Sequence, residues 1–209
     1  MNKLFQHRLF WPIAGLGLLL LFNLIFDRAF FEVTTRDGNL YGPMFTVLRL
    51  AVKVMLLALG MTLVIATGGV DLSVGSVMAI VGALVANGSA NHQWPFALLL
   101  AVSAAIAIVA GAFNGVLISI AGLQPIIATL IMMVLGRGVA LSITGGLPIA
   151  INNNFILYMG RGFLAGIPVP ILIVAVVFAL TLLACRKTAA GLFIEAVGDN
   201  ETASHFAGV

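Results

Sequence analysis

Charge is what this 209-residue sequence has least of: Asp, Glu, Lys and Arg make up 8% of it, against 62% hydrophobic residues. A soluble domain carries about 25% charged and 45–50% apolar residues. An ordinary water-solvated globule is therefore excluded, and lipid must solvate most of the surface. The formal net charge of +3 is small and its cations are scattered, which excludes a nucleic-acid partner. A single cysteine, Cys185, rules out an intrachain disulfide and supports no redox or metal role. The three histidines, His7, His92 and His205, lie in connectors or tails without metal-ligand spacing. No glycine-rich stretch ends in Gly-Lys-Ser/Thr, so nucleotide phosphates find no P-loop here. Of the seven acidic residues only Asp71 sits amid apolar sequence, so paired carboxylates for acid–base work are missing too. These absences leave no basis for an enzyme, for a metal site or for a bound cofactor.

What is present is a series of apolar runs. A helix rising about 1.5 Å per residue needs about 20 residues to cross a hydrocarbon core of about 30 Å. On that ruler about six segments stand out: Phe10–Phe26, Met44–Thr67, Val74–Ala86, Pro95–Ile120, Pro125–Ile143 and Ile167–Ala184. Turn-rich and polar connectors separate them at 27–43, 87–94, 121–124 and 144–166. None shows the ten-residue, period-two pattern of a barrel strand. The fold predicted is an all-α, polytopic transmembrane helical bundle forming one domain over residues 1–209. Lys3 and Arg8 before the first run suggest a signal peptide, but Asp27-Arg28-Ala29-Phe30-Phe31 lacks a small-residue cleavage pattern, so the run reads as a retained first span. Topology is not settled by charge. An inside N-terminus puts Lys3, Arg8, Arg186 and Lys187 inside against Arg28, Arg36 and Arg161 outside, and Arg49 with Lys53 reverses the balance. Arg49 and Lys53 themselves read as side chains reaching for the interface.

Within the second and third segments the sequence Thr67-Gly68-Gly69-Val70-Asp71-Leu72-Ser73 predicts a helix broken around 67–73. Glycine frees the backbone, and Asp71 or Ser73 can cap the next helix by accepting from its open N–H groups. Such a break is tolerated at membrane depth only beside protein or a wet cavity. Asp71 is therefore either a capping residue near the membrane surface or a group lining a solute path, and the two roles are compatible. Arg137, in an otherwise uncharged segment, either meets solute hydroxyls or pairs with a helix end or with Asp71. Gly111-Ala112-Phe113-Asn114-Gly115 has the spacing that lets helices approach closely, with Asn114 as interhelical glue or a polar point on the path. Asn152-Asn153-Asn154 reads as a connector or as a contact for a soluble partner. After Arg186-Lys187, Asp199 or Asn200 can cap a short helix that Glu201 suits and Gly208 closes, with Ala203, Phe206 and Ala207 as an apolar patch. Such a segment is either an ordinary loop helix or a docking element.

Three motifs in order carry a family resemblance. The stretch from Gly60 to Ser76, around Thr67-Gly68-Gly69-Val70-Asp71, resembles the signature of ribose/galactose/xylose-type permeases of bacterial ATP-binding cassette (ABC) sugar importers. Ile127–Met133 with Gly136-Arg137-Gly138 and Thr144-Gly145-Gly146 resembles their next hallmark, and Gly191–Gly208 their cytosolic coupling loop. Arg36–Gly42 and the Thr-Gly-Gly-Val-Asp form look closest to galactofuranose-type permeases. Asp199 and His205 stand where that loop more often has a small residue and a basic or polar one.

The resemblance implies an inner-membrane, multi-pass permease subunit that translocates a monosaccharide, with an inside N-terminus and a coupling loop at 186–209. It also implies further C-terminal spans beyond this sequence. The implied partners are a cytosolic ATPase subunit that hydrolyses ATP, a second permease subunit, a periplasmic sugar-binding protein and membrane lipid. Asp71, Ser73, Asn114 and Arg137 are the expected path or its supporting shell. Gly191, Glu195, Ala196, Gly198, Asn200, Ala203 and Gly208 are the expected coupling residues. The rival reading is an ion-coupled secondary transporter for a small polar solute, which places broken helices in the same way.

Overall fold

The structure is a computed structural model that describes residues 9–208. The basic flank at Lys3 and Arg8, and His7, lie outside the described residues. Helix α1 (Phe10–Phe26) leads through a 3₁₀ turn at Arg28–Phe31 into a hairpin of β1 (Thr34–Arg36) and β2 (Asn39–Tyr41). Then come α2 (Pro43–Ala66), α3 (Val74–Ala90), α4 (Phe96–Ser119) and α5 (Pro125–Thr144). A short α6 (Asn154–Arg161) precedes a second hairpin, β3 (Phe163–Leu164) with β4 (Ile167–Pro168). Helix α7 (Val169–Lys187) is followed by α8 (Ala189–Asp199) and α9 (Glu201–Phe206).

Prolines sit in the first turns of α2, α5 and α7, where their missing N–H costs nothing. Gly145 ends α5 in the left-handed conformation at φ +63°. Among the described residues four helices, α2, α4, α5 and α7, are long and apolar enough to cross a membrane, and they make the chain a multi-pass bundle. Helices α1 and α3 have 17 residues each and rise about 25 Å. Helix α3 runs to Ala90 rather than stopping at Ala86, because Asn87-Gly88-Ser89 continues the helix before the loop at Trp94.

The helix directions follow from the loops. The Leu40 N–H donates to the Gly166 carbonyl at 2.9 Å, and Tyr41 meets Phe163, so both hairpins sit at one end of the bundle. Helices α2 and α7 therefore both leave that end and run together to the other. There α8 packs against α2 and α7. Between Ala66 and Val74 the chain reverses, and α3 returns toward the hairpin end, where Phe96 of α4 touches Phe155 of α6.

The helices sort into two packs. One is α3, α4 and α5, centred on Ile80, Ala83 and Ala140 with Ile106 and Ile143 against them. The other is α2, α7 and α8 with the hairpins. Contact between the packs is sparse. Close approach of α3 to α5 uses Gly136, where an added Cβ would lie 2.8 Å from the Ser76 hydroxyl oxygen. The predicted small-residue seam at Gly111 and Gly115 is not used within the described residues: neither has a neighbour in its Cβ direction.

Candidate functional site

The loop 67–73 gathers the polar residues of the bundle. The Asp71 carboxylate, through Oδ1, accepts the Ser73 N–H at 2.7 Å and the Ser73 hydroxyl at 2.6 Å. The Ser73 hydroxyl oxygen in turn accepts the Asn114 amide at 2.9 Å. The Ser76 hydroxyl donates back to the Ser73 carbonyl at 2.7 Å, and Thr129 reaches the Val70 carbonyl at 3.4 Å. Of the two capping candidates, Asp71 is the one that accepts an N–H at the start of α3. Ser73 occupies the N-cap position of α3 but makes no capping bond to its free N–H groups; its hydroxyl is held by Asp71 and Asn114 instead.

These groups are desolvated to different degrees. Ser73, Thr129 and Asn114 are buried, whereas Asp71 is half-buried. The carboxylate's second oxygen carries no hydrogen bond among the described residues. The side-chain oxygen of Asn114 is buried with no donor, a state that costs about 1–3 kcal/mol. Asp71, Ser73 and Asn114 share a cleft of about 320 Å³ whose walls include Leu57 of α2, Val77 of α3 and Gly111 of α4. It lies on the seam between the two packs, and its volume is in the range of about 300–1,000 Å³ usual for small-molecule sites. By contrast, a larger cavity of about 880 Å³ among α3, α4 and α5 is walled by Ile106, Phe113, Leu135 and other apolar residues, with no polar side chain.

Arg137 is not part of this cluster. It is exposed, forms no ion pair with Asp71 among the described residues, and lines a separate groove of about 470 Å³ with Gly82 and Thr144. Arg49 lies against the hairpins, in a small cleft with Tyr41 and Phe163.

The expected coupling segment is two helices rather than one. Asn200 caps α9 by accepting the Ala203 N–H at 2.9 Å, and Gly208 follows at φ +84°. Glu195, Ala196 and Ala203 are exposed, and Phe206, 85% exposed, sits beside Ala203 and Ala207 in the predicted apolar patch. The two glycines of α8 face backbone. A Cβ on Gly191 would collide with the Cys185 carbonyl, and one on Gly198 with the Ala66 carbonyl at the end of α2. Sequence reasoning missed Ser204, which is buried, and the role of Asn153, which caps α6 by accepting from the Phe155 and Ile156 N–H groups at 3.0 and 3.2 Å. An Asx cap is readable in Asn153-Asn154-Phe155 once a helix is expected there; the surrounding asparagines hid it.

A family model described as branched-chain amino acid transport system / permease component matches residues 44–209. The galactofuranose transporter permease protein YtfT of Escherichia coli (strain K12) is 45% identical over 98% of this chain and 61% of its own length. The fructose import permease protein FruF of Bifidobacterium longum is 41% identical over all of this chain and 60% of its own. The ribose import permease protein RbsC of Bacillus subtilis is 36% identical over 95% and 59%. The chain thus spans about three fifths of the length of these curated relatives. No solved structure matches it.

Proposed function

The chain belongs to the family described as branched-chain amino acid transport system / permease component, and from that premise we propose that it is membrane-spanning permease sequence of an ABC importer for a neutral monosaccharide in a bacterial inner membrane. The observation that carries this reading is the seating of α8 on the end of α2, next to the loop that holds the polar cleft. An exposed helical hook is thereby joined to the place where a solute would pass. The hook, with Glu195, Ala196, Asn200 and Ala203 on its surface, faces a cytosolic ATPase subunit, and ATP is hydrolysed on that separate chain. A second permease subunit completes the path, and a periplasmic sugar-binding protein delivers the solute at the hairpin end.

The cleft suits an uncharged, hydroxyl-rich solute. Asp71, half-buried at the cleft, presents a carboxylate oxygen without a donor, which a sugar hydroxyl can satisfy, while Leu57 and Val77 accept the apolar face of a sugar ring. A neutral solute needs no counter-charge, so a nearly uncharged interior is no obstacle. An ion-coupled carrier would need more carboxylates in the cleft than the single Asp71.

The test uses the full-length protein reconstituted with its ATPase, second permease and binding protein, and labelled galactofuranose, fructose and ribose as probes. Uptake that requires ATP and survives an uncoupler supports the reading. Uptake that follows an ion gradient and ignores ATP overturns it.

A further inference from the structure

The loop between the packs is tied to both, and the ties meet at one peptide. On the α2 side, the Gly68 N–H donates to the Ile65 carbonyl at 2.9 Å and the Gly69 N–H to the Val64 carbonyl at 3.1 Å. On the other side, the Thr129 hydroxyl of α5, which donates to the Pro125 carbonyl at 2.7 Å, lies 3.4 Å from the Val70 carbonyl, and Ser73 accepts from Asn114 of α4. Residues to Gly69 thus belong to the α2–α7–α8 pack and residues from Val70 to the α3–α4–α5 pack. Gly68 holds φ +80°, a conformation open to glycine and, among other residues, mainly to asparagine and aspartate.

Helix α8 is gripped by backbone at both ends of its length. Gly191 lies on the Cys185 carbonyl, at the corner with α7. Gly198 lies on the Ala66 carbonyl, with the Thr67 Cα 3.7 Å from where its Cβ would be. Contact through backbone leaves no flexible side chain to absorb a displacement, so a push of α8 toward α2 passes directly to the end of α2.

We infer that Gly198 is a positioning residue for energy coupling. Its missing side chain seats α8 on the Ala66 carbonyl, so that a push on α8 turns α2 and α7 as one body about the Gly69–Val70 joint, against α3, α4 and α5. That rotation changes the width of the cleft holding Asp71 and Asn114, because Leu57 on one wall moves with α2 while Val77 and Asn114 on the other do not. Two packed bodies and a short joint are the usual elements of hinge closure. The inference rests on the importer reading above, and adds where force enters and where the backbone bends.

The experiment measures sugar transported per ATP hydrolysed, in the full assembly with the same labelled sugars. Gly198→Ala is expected to lower that ratio about tenfold or more, the scale of a typical coupling free energy, with capture of the ATPase subunit unchanged. Gly160→Ala, at a site with open space around it, is the control and should leave the ratio unchanged. Gly68→Asn, which tolerates the left-handed conformation, should keep the ratio within about twofold, and Gly68→Val should lose it. A merely structural role for Gly198 would reduce folded yield and ATPase capture together and leave the ratio intact, which overturns the inference. A wild-type assembly that fails to import sugar with ATP would instead overturn the importer reading.

Discussion

The Asn114 amide nitrogen lies 2.9 Å from the Ser73 hydroxyl oxygen, whose own proton goes to Asp71 at 2.6 Å, so one residue of α4 and two of the 67–73 loop form one directional chain. One Asn114 N–H and the Ser73 hydroxyl donate within it, and two acceptor oxygens, Asn114 Oδ1 and the second carboxylate oxygen of Asp71, are left over. The chain fixes the start of α3 against α4 and turns its unmet acceptors into the most polar point of the bundle.

Asn114→Leu removes one hydrogen bond, worth about 0.5–1.5 kcal/mol, and one orphaned buried acceptor, which costs about 1–3 kcal/mol. Thermal unfolding in detergent should therefore shift little, while sugar uptake falls at least about tenfold. Uptake at the wild-type rate would remove Asn114 from the path.

Asp71→Ala and Asp71→Asn should separate. The asparagine can still accept the Ser73 N–H and hydroxyl; the alanine leaves both unmet, and hydrogen bonds to a charged acceptor are worth about 1.5–3 kcal/mol each. Amide exchange at residues 73–77 should quicken markedly in Asp71→Ala and only slightly in Asp71→Asn. Equal exchange in the two would show that the carboxylate does not hold this helix start.

Gly136→Ala drives a methyl group into Ser76 and should cost about 1–3 kcal/mol by overpacking the α3–α5 contact. Gly138→Ala, with nothing within 4 Å of the new carbon, should be neutral or stabilising by up to about 1 kcal/mol. Thermal melts of the two variants check the contrast.

Asn200→Ala deletes the cap of α9, at a cost of about 1 kcal/mol to a helix of six residues. Phe206→Asp places a charge on its exposed apolar patch. Both should weaken capture of the ATPase subunit in a pull-down, Phe206→Asp more, without altering membrane insertion.

Much of this was legible in the residues themselves. Apolar runs on the helical ruler located α2, α4, α5 and α7 to within a few residues, because in lipid the backbone must satisfy itself and composition leaves little else to choose. The break after Thr67, the Asn200 cap and the Gly208 terminus were readable from local chemistry. What sequence could not place was sidedness around each helix. Every face of these segments is apolar, so periodicity does not separate the face that meets protein from the face that meets lipid. Gly111 and Gly115 were for that reason expected at a helix contact that Gly136 makes instead. The same blindness joined Arg137 to Asp71, although they line different clefts. Nor could spacing show that Gly198 rests on Ala66, 132 positions earlier, since that contact exists only once α7 brings α8 back to the end of α2.

The most direct measurement concerns the side of the membrane on which α8 lies. In a cysteine-free background of the full-length protein, with Cys185→Ser among its changes, Glu195→Cys is exposed to a membrane-impermeant thiol reagent from one side at a time. Labelling is expected only from the cytosolic side, with protection when the ATPase subunit is bound. Labelling from the periplasmic side would contradict it, because a hook outside the cell could receive no force from ATP.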